Sequence, residues 1–168
     1  NIDLQEDRMD MYVGKNWAPG GYLWIFPKGE GFANIGIGVS GKYSKERSAI
    51  SYLDEFISNT FPNATIHTTM CGGVPCAKPI ENPITDGLML VGDAAHHVNP
   101  VTGGGIAPAM KSGMFAGQVA SESIMKDDSS ENFLKKYIKL CNKDFVSRHN
   151  RIHSVKETVQ KLTDEEMN

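Results

Sequence analysis

Apolar and polar positions alternate with a period of two in two neighbouring stretches. In Tyr22-Leu-Trp-Ile-Phe26 the residues Tyr22, Trp24 and Phe26 share one face, and from Phe32 to Val39 the residues Ile35, Ile37 and Val39 share one while Asn34, Gly36 and Gly38 share the other. Pro27-Lys-Gly-Glu-Gly31 supplies turn residues between them, so the pair predicts a β-hairpin. With the aromatic face beside the glycine face, such a sheet offers aromatic walls over a floor without side chains, a shape that admits a long apolar chain. The competing reading is aromatic filling of the gaps that strand glycines leave in an ordinary core. Upstream, Met11 to Gly14 predicts a short strand and Asn16 to Gly21 a turn.

The period then lengthens. Ser44 is a candidate N-cap for a helix through about Asn59, with Ile50, Leu53, Phe56 and Ile57 as its apolar stripe. Alternation returns from Ala64 to Met70, which predicts another strand, and Pro79, Pro83 and Asp86-Gly87 mark a loop. Leu88 to Val91 is an unbroken apolar run that predicts a strand buried on both faces and closed sharply by Gly92-Asp93. After Pro100, Thr102 and three glycines lead into Ile106, Ala107, Ala109, Met110, Gly113 and Ala116, the start of a helix. Ala109, Gly113, Gly117 and Ser121 recur at intervals of four, so one face of that helix is nearly smooth, as close packing on a sheet requires. Asp127-Asp-Ser-Ser130 breaks the chain, and one or two amphipathic helices follow from Asn132 to about Leu162.

Composition adds bounds. With 168 residues, 40% hydrophobic content and a net charge of −3, the chain can bury a real core of one domain or one and a half. It has no apolar run near the roughly 18 residues of a spanning helix, and Asn-Ile-Asp-Leu-Gln-Glu-Asp at the start is no signal peptide, so a cytoplasmic location is expected. Cys71, Cys76 and Cys141 are odd in number and lack a two-residue spacing, which points to reduced thiols and away from zinc or a disulfide framework. Charge is uneven: residues 135–161 carry eight Lys or Arg against Asp144 and Glu157. Such a face can lie on anionic lipid headgroups or stay solvated, whereas nucleic acid is not expected without aromatics interleaved in the basic patch.

Chemistry concentrates in residues 87–106. Asp93 is placed at a strand's carboxyl end, where open α/β sheets bind ligands. About ten residues on lies a helix N-terminus bare of side chains, a ready anion site. The pair suits a ligand with a polyol beside a negative or electron-rich group, and the alternative is a tight turn whose glycines serve packing alone. His96 and His97 are adjacent, so their side chains diverge, and with no third ligand at metal spacing no metal site is expected.

Gly92-Asp93-Ala94-Ala95 with Asn99-Pro100-x-Thr102-Gly103-Gly104-Gly105-Ile106 resembles the second flavin-binding motif of FAD-dependent oxidoreductases related to the aromatic hydroxylases, and most of all that of the geranylgeranyl reductase family. Tyr22-x-Trp24-x-Phe26-Pro27, then eight residues, then Gly36-x-Gly38 resembles the substrate-domain signature of the archaeal-type members. Cys71-Gly-Gly-Val-Pro75 resembles the segment that leads from the substrate sheet back to the flavin domain. The likeness covers roughly residues 18 to 125.

It implies an α+β fold: an antiparallel substrate-domain sheet with a helix over 1–84, the returning strand, Gly-Asp motif and helix of a Rossmann-like FAD-binding domain over 85–126, and helical carboxyl-terminal residues 127–168. FAD is the implied cofactor, with Gly92, Asp93, Ala94, Pro100, Thr102, Gly103, Gly104, Gly105 and Ile106 as its residues. Asp93 is expected to take ribityl hydroxyls, and Gly103 to Ile106 to face the pyrimidine end or the pyrophosphate. Tyr22, Trp24, Phe26, Pro27, Gly36 and Gly38 are expected to line a channel for an isoprenoid lipid, whose C=C bonds the family saturates with electrons from NADPH or a ferredoxin-like donor. In an archaeon that lipid is a digeranylgeranylglycerol phospholipid, in a phototroph the chlorophyll side chain. His96 and His97 are candidate proton donors, or else partners of loop carbonyls. The chain has no Gly-x-Gly-x-x-Gly turn for the ADP half and no starting Met, so it is expected to be a carboxyl-terminal part, empty and inactive alone. The other functions to weigh are an aromatic-hydroxylase-like or quinone-linked flavoenzyme and a non-catalytic lipid-binding domain.

Overall fold

A computed structural model describes residues 4–159 and shows an α+β architecture of helices with small antiparallel sheets. Its contacts divide between Cys71 and Gly72 into two compact units.

In the first unit, β1 (Asp10–Tyr12), β2 (Tyr22–Gly29) and β3 (Phe32–Gly38) form an antiparallel sheet in the order β1-β2-β3. The hairpin expected from the alternation is present, and its register pairs Tyr22 with Gly38 and Trp24 with Gly36. β2 runs three residues further than its aromatic core, because Pro27 and Gly29 stay in the ladder across an irregularity. Leu23 (0% exposed) and Ile25 (2%) point to the inner face, where they pack with Ala18 and with Phe56 of α1 (Ala49–Thr60). Burying side chains of this kind stabilises a domain by about 1.5–3 kcal/mol each. Ser48 caps α1, accepting from the Ser51 amide at 3.3 Å in an extended conformation, so the helix begins later than the predicted cap at Ser44. Ser44 instead donates its hydroxyl to the Gly41 carbonyl within a run of turns.

The strand predicted over Ala64 to Met70 does not form. Those residues are irregular and mostly exposed, and a strand persists only where a neighbour completes its ladder.

The second unit holds the remaining elements. β4 (Ile84–Thr85) and β5 (Leu88–Met89) make a two-residue hairpin, followed by a 3₁₀ turn (Gly92–Ala95), α2 (Ile106–Lys126), α3 (Glu131–Cys141), a π turn (Asn142–Val146) and α4 (Ser147–Val159). The run Leu88 to Val91 is therefore shorter as a strand than its apolar content predicts, and it is not buried on both faces: Leu88 and Val91 are exposed. Such a run is buried only where strands flank it and layers cover it, and among the described residues β4 alone pairs with it. The core joins α2 to α3 and the π turn through Val119, Leu134, Tyr137, Cys141, Phe145 and Val146, with Ile84 from β4. Asp127 ends α2 in the left-handed conformation and Ser130 caps α3, as the Asp-Asp-Ser-Ser break foretells. The smooth face of α2 is exposed at Gly113, Gly117 and Ser121 rather than packed against a sheet of the described residues. The predicted helix end at Leu162 lies outside the described residues.

Candidate functional site

The turn that follows β5 is built by backbone needs. Gly92 has φ +56°, a left-handed value that favours glycine, and a Cβ there would stand 3.2 Å from the Ala109 methyl. Its amide donates to the buried Ser112 hydroxyl of α2 at 3.0 Å, and that hydroxyl donates to the Ala109 carbonyl. The amides of His96 and His97 close the turn on the Asp93 and Gly92 carbonyls. These bonds fix the Gly92–Ala95 turn against the first turns of α2.

The loop from Asn99 to Gly104 closes on itself. The Asn99 side chain accepts from the amides of Val101 (3.0 Å) and Thr102 (3.1 Å), while its backbone exchanges bonds with Gly103 and Gly104. Thr102 adds its hydroxyl as acceptor for the Gly104 amide. Gly105 then begins α2 with no side-chain cap, and Pro108 in the first turn has no N–H to satisfy, so the Ile106 and Ala107 amides are the open donors. Asp93 is exposed, and its Oδ1 lies 3.3 Å from where a Gly105 Cβ would be. A carboxylate and an uncapped helix end thus meet across a residue whose side chain would crowd them. This arrangement can accept from hydroxyls on one side and donate to an electron-rich or anionic group on the other. The residues present fit the ribityl and pyrimidine end of a flavin. Cys76 and Val74 border the loop at Gly103. Burial raises the Cys76 thiol, Lys156 acting against the shift and Asp93 with it.

The two histidines diverge. His96 places Nδ1 3.1 Å from the Lys78 carbonyl, the loop-carbonyl role. His97 is 1% exposed, packed edge-on to Phe145 with ring centroids 5.0 Å apart. Burial first, then His149 and His96, lower His97 to about 4, so it is neutral near pH 7. A cavity of about 160 Å³ lined by His97, Pro79, Pro83, Cys141 and Asn150 has room for a few waters and none for a flavin.

On the first unit, the outer face of the sheet carries the row Tyr22, Trp24 and Phe26, with ring centroids 5.6 Å and 6.0 Å apart. The register does set aromatics beside glycines, yet the Trp24 ring folds over Gly36 so closely that any Cβ there would overlap it, and its Nε1 donates to Asn34 Oδ1 at 2.8 Å. The floor at Gly36 is roofed. Gly38 stays open, its nearest neighbour being the Tyr22 carbonyl at 3.9 Å.

Asn99 stands in the glycine-rich motif without an assigned role, and Ser112 is not among the residues that the pattern singles out. Asn-Pro is a turn signal that points to Asn99, whereas one serine among the small residues of α2 carries no signal of its bond to Gly92.

Residues 1–74 match the family model described as the geranylgeranyl reductase catalytic domain. By this match and the likenesses below, the chain resembles the geranylgeranyl reductase family along nearly its whole length. It is 45% identical over 166 residues to digeranylgeranylglycerophospholipid reductase 1 of Methanococcoides burtonii, covering 99% of this chain and 41% of that protein. To the digeranylgeranylglycerophospholipid reductase of Thermoplasma volcanium it is 46% identical over 169 residues, covering 98% of this chain and 42% of the other. A crystal structure of a geranylgeranyl bacteriochlorophyll reductase-like protein from Thermoplasma acidophilum superposes with a TM-score of 0.91 at 42% identity, again over 98% of this chain and 42% of that one. The chain therefore spans about two fifths of the length of these relatives.

Proposed function

We propose that this chain carries part of the flavin site and part of the substrate site of an FAD-dependent reductase that saturates C=C bonds of geranylgeranyl chains in isoprenoid lipids. The observation that carries the reading is the meeting of the Asp93 carboxylate with the uncapped start of α2 across Gly105. Asp93 would hold ribityl hydroxyls, and the Ile106 and Ala107 amides would donate to an electron-rich group of the flavin. The flavin, when bound, supplies the electron transfer. The chain's own residues bind, orient and exclude water. NADPH or a ferredoxin-like protein is the proposed donor. The row Tyr22, Trp24 and Phe26, together with Pro27 and the open backbone at Gly38, forms one wall for the isoprenoid. The His97 ring is buried and neutral and His96 is held by a carbonyl, so the proton that completes the reduction is assigned to neither.

Flavin titration of the whole protein tests this. Asp93→Ala is expected to weaken FAD binding tenfold or more, since a carboxylate bonded to a hydroxyl contributes about 1.5–3 kcal/mol. Unchanged affinity would remove Asp93 from the site, and failure of the unaltered protein to reduce a geranylgeranyl lipid would point to another flavoenzyme class or to a lipid-binding role.

Among the described residues no helix is long and apolar enough to cross a membrane. Lys135, Lys139, Lys143, Arg148 and Arg151 are all exposed, which supports peripheral contact with anionic lipid headgroups through this face.

A further inference from the structure

We infer that Met11, on the edge strand β1, is a substrate-positioning residue that sets the preference for isoprenoid chain length; this rests on the reading of the aromatic face as the isoprenoid wall. Met11 is the cross-strand partner of Trp24, so the two side chains stand on the same, outer face of the sheet. Its neighbour Tyr12 points the other way and packs edge-on to Phe56, with ring centroids 5.2 Å apart, which fixes the sides of β1 independently. Met9 and Val13 flank β1 just outside its ends, and Met9, Val13 and Met11 are 71%, 64% and 56% exposed respectively.

The direction in which Trp24 leans decides where a chain can lie. Its ring covers Gly36 and is tied to Asn34, both on β3. Beside Trp24 the face toward β3 is therefore filled at Asn34 and Gly36, Gly38 alone staying open there, and the free apolar surface next to the Trp24 ring lies between it and the β1 side chains. From Met9 to Val13 that strip runs about 14 Å at a strand's rise per residue, with strands about 4.8 Å apart. A flexible thioether suits a wall that meets a branched, unsaturated chain, since methionine adapts its shape and its sulfur is polarisable. Met11 sits at the middle of the strip, so a short chain need not reach it and a long one must pass it.

The test uses the full-length protein with its flavin and a chemical reductant, and substrates bearing geranyl, farnesyl or geranylgeranyl chains on one headgroup. Met11→Ala is expected to raise KM for the geranylgeranyl substrate about tenfold with kcat within twofold, and to leave the geranyl substrate within twofold. Met11→Leu is expected to restore most of the loss. If Met11→Ala leaves KM unchanged for all three chains while Trp24→Ala raises it, the role of Met11 is overturned and the wall stands. If neither change alters KM, the wall itself falls. A third outcome, a lower melting temperature with unchanged KM, would mean that Met11 is covered by protein and also overturns the inference; Met11→Gln, of equal length, separates that from a local packing loss.

Discussion

Ser112 shows how a single hydroxyl organises the Gly92–Ala95 turn. It accepts from Gly92 and donates to Ala109 while fully buried, so Ser112→Ala leaves a buried amide without an acceptor. A loss of about 1–3 kcal/mol in unfolding free energy is expected, and chemical denaturation measures it; no loss would show that water replaces the hydroxyl. His97 gives a pH dependence of definite sign. Its folded value of about 4 lies below its ordinary 6.5, so the folded state prefers the neutral ring. Stability is fully present above about pH 6.5 and is lost as pH falls toward 4, by roughly 3 kcal/mol at most. Denaturation curves at pH 7.5, 5.5 and 4.5 for the native chain and for His97→Phe follow this: the variant's curve should be flatter, and equal slopes would exclude His97 as the source. At this scale the candidate residues Asp93, Pro100 and the three glycines stand out in the sequence because their order in one short string is uncommon. Ser112 and Met11 do not, since their roles come from which backbone or strand they face.

The elements tell a different story of legibility. The β2–β3 hairpin and the start of α2 were read from pattern because alternation and a glycine run are local properties. The strand over 64–70 and the depth of the strand at 88–91 were misread, because a strand's existence and burial depend on neighbours that no local pattern encodes. The π turn is a third case. Tyr137, Cys141, Phe145 and His149 are spaced by four, and all are buried. In an unbroken α-helix three such steps would carry the face round by about 120°, whereas one residue taken up in a π turn sets it back by about 100°. The turn keeps the four on one side and leaves Lys135, Lys139 and Lys143 on the other. Deleting the exposed Asn142 should therefore yield a continuous α-helix with the same buried face and a melting temperature within a few degrees. Deleting Lys139 from α3 should rotate everything after it and abolish cooperative melting. Equal damage from both deletions would mean that the π turn serves something other than phase.

For the whole molecule, the proposed contact with a membrane sets charge against ionic strength. The chain is acidic overall at −3, yet Lys135, Lys136, Lys139, Lys143, Arg148 and Arg151 are all exposed on α3, the π turn and α4. Sedimentation with vesicles rich in anionic lipid should bind the full-length protein at low salt and release it as salt rises toward physiological strength and beyond, where the Debye length shrinks below about 8 Å. Lys135→Glu with Lys139→Glu and Lys143→Glu should remove binding without altering turnover of a detergent-dispersed substrate. Binding that survives the triple change would move the contact elsewhere. The division after Cys71 has a spectroscopic consequence. Both tryptophans of the chain, Trp17 and Trp24, belong to the sheet-bearing unit, while α2, α3 and α4 belong to the other. Tryptophan emission therefore reports the melting of one half and far-ultraviolet circular dichroism mainly that of the other, so a single heating experiment with two detectors shows whether the halves unfold together or one after the other.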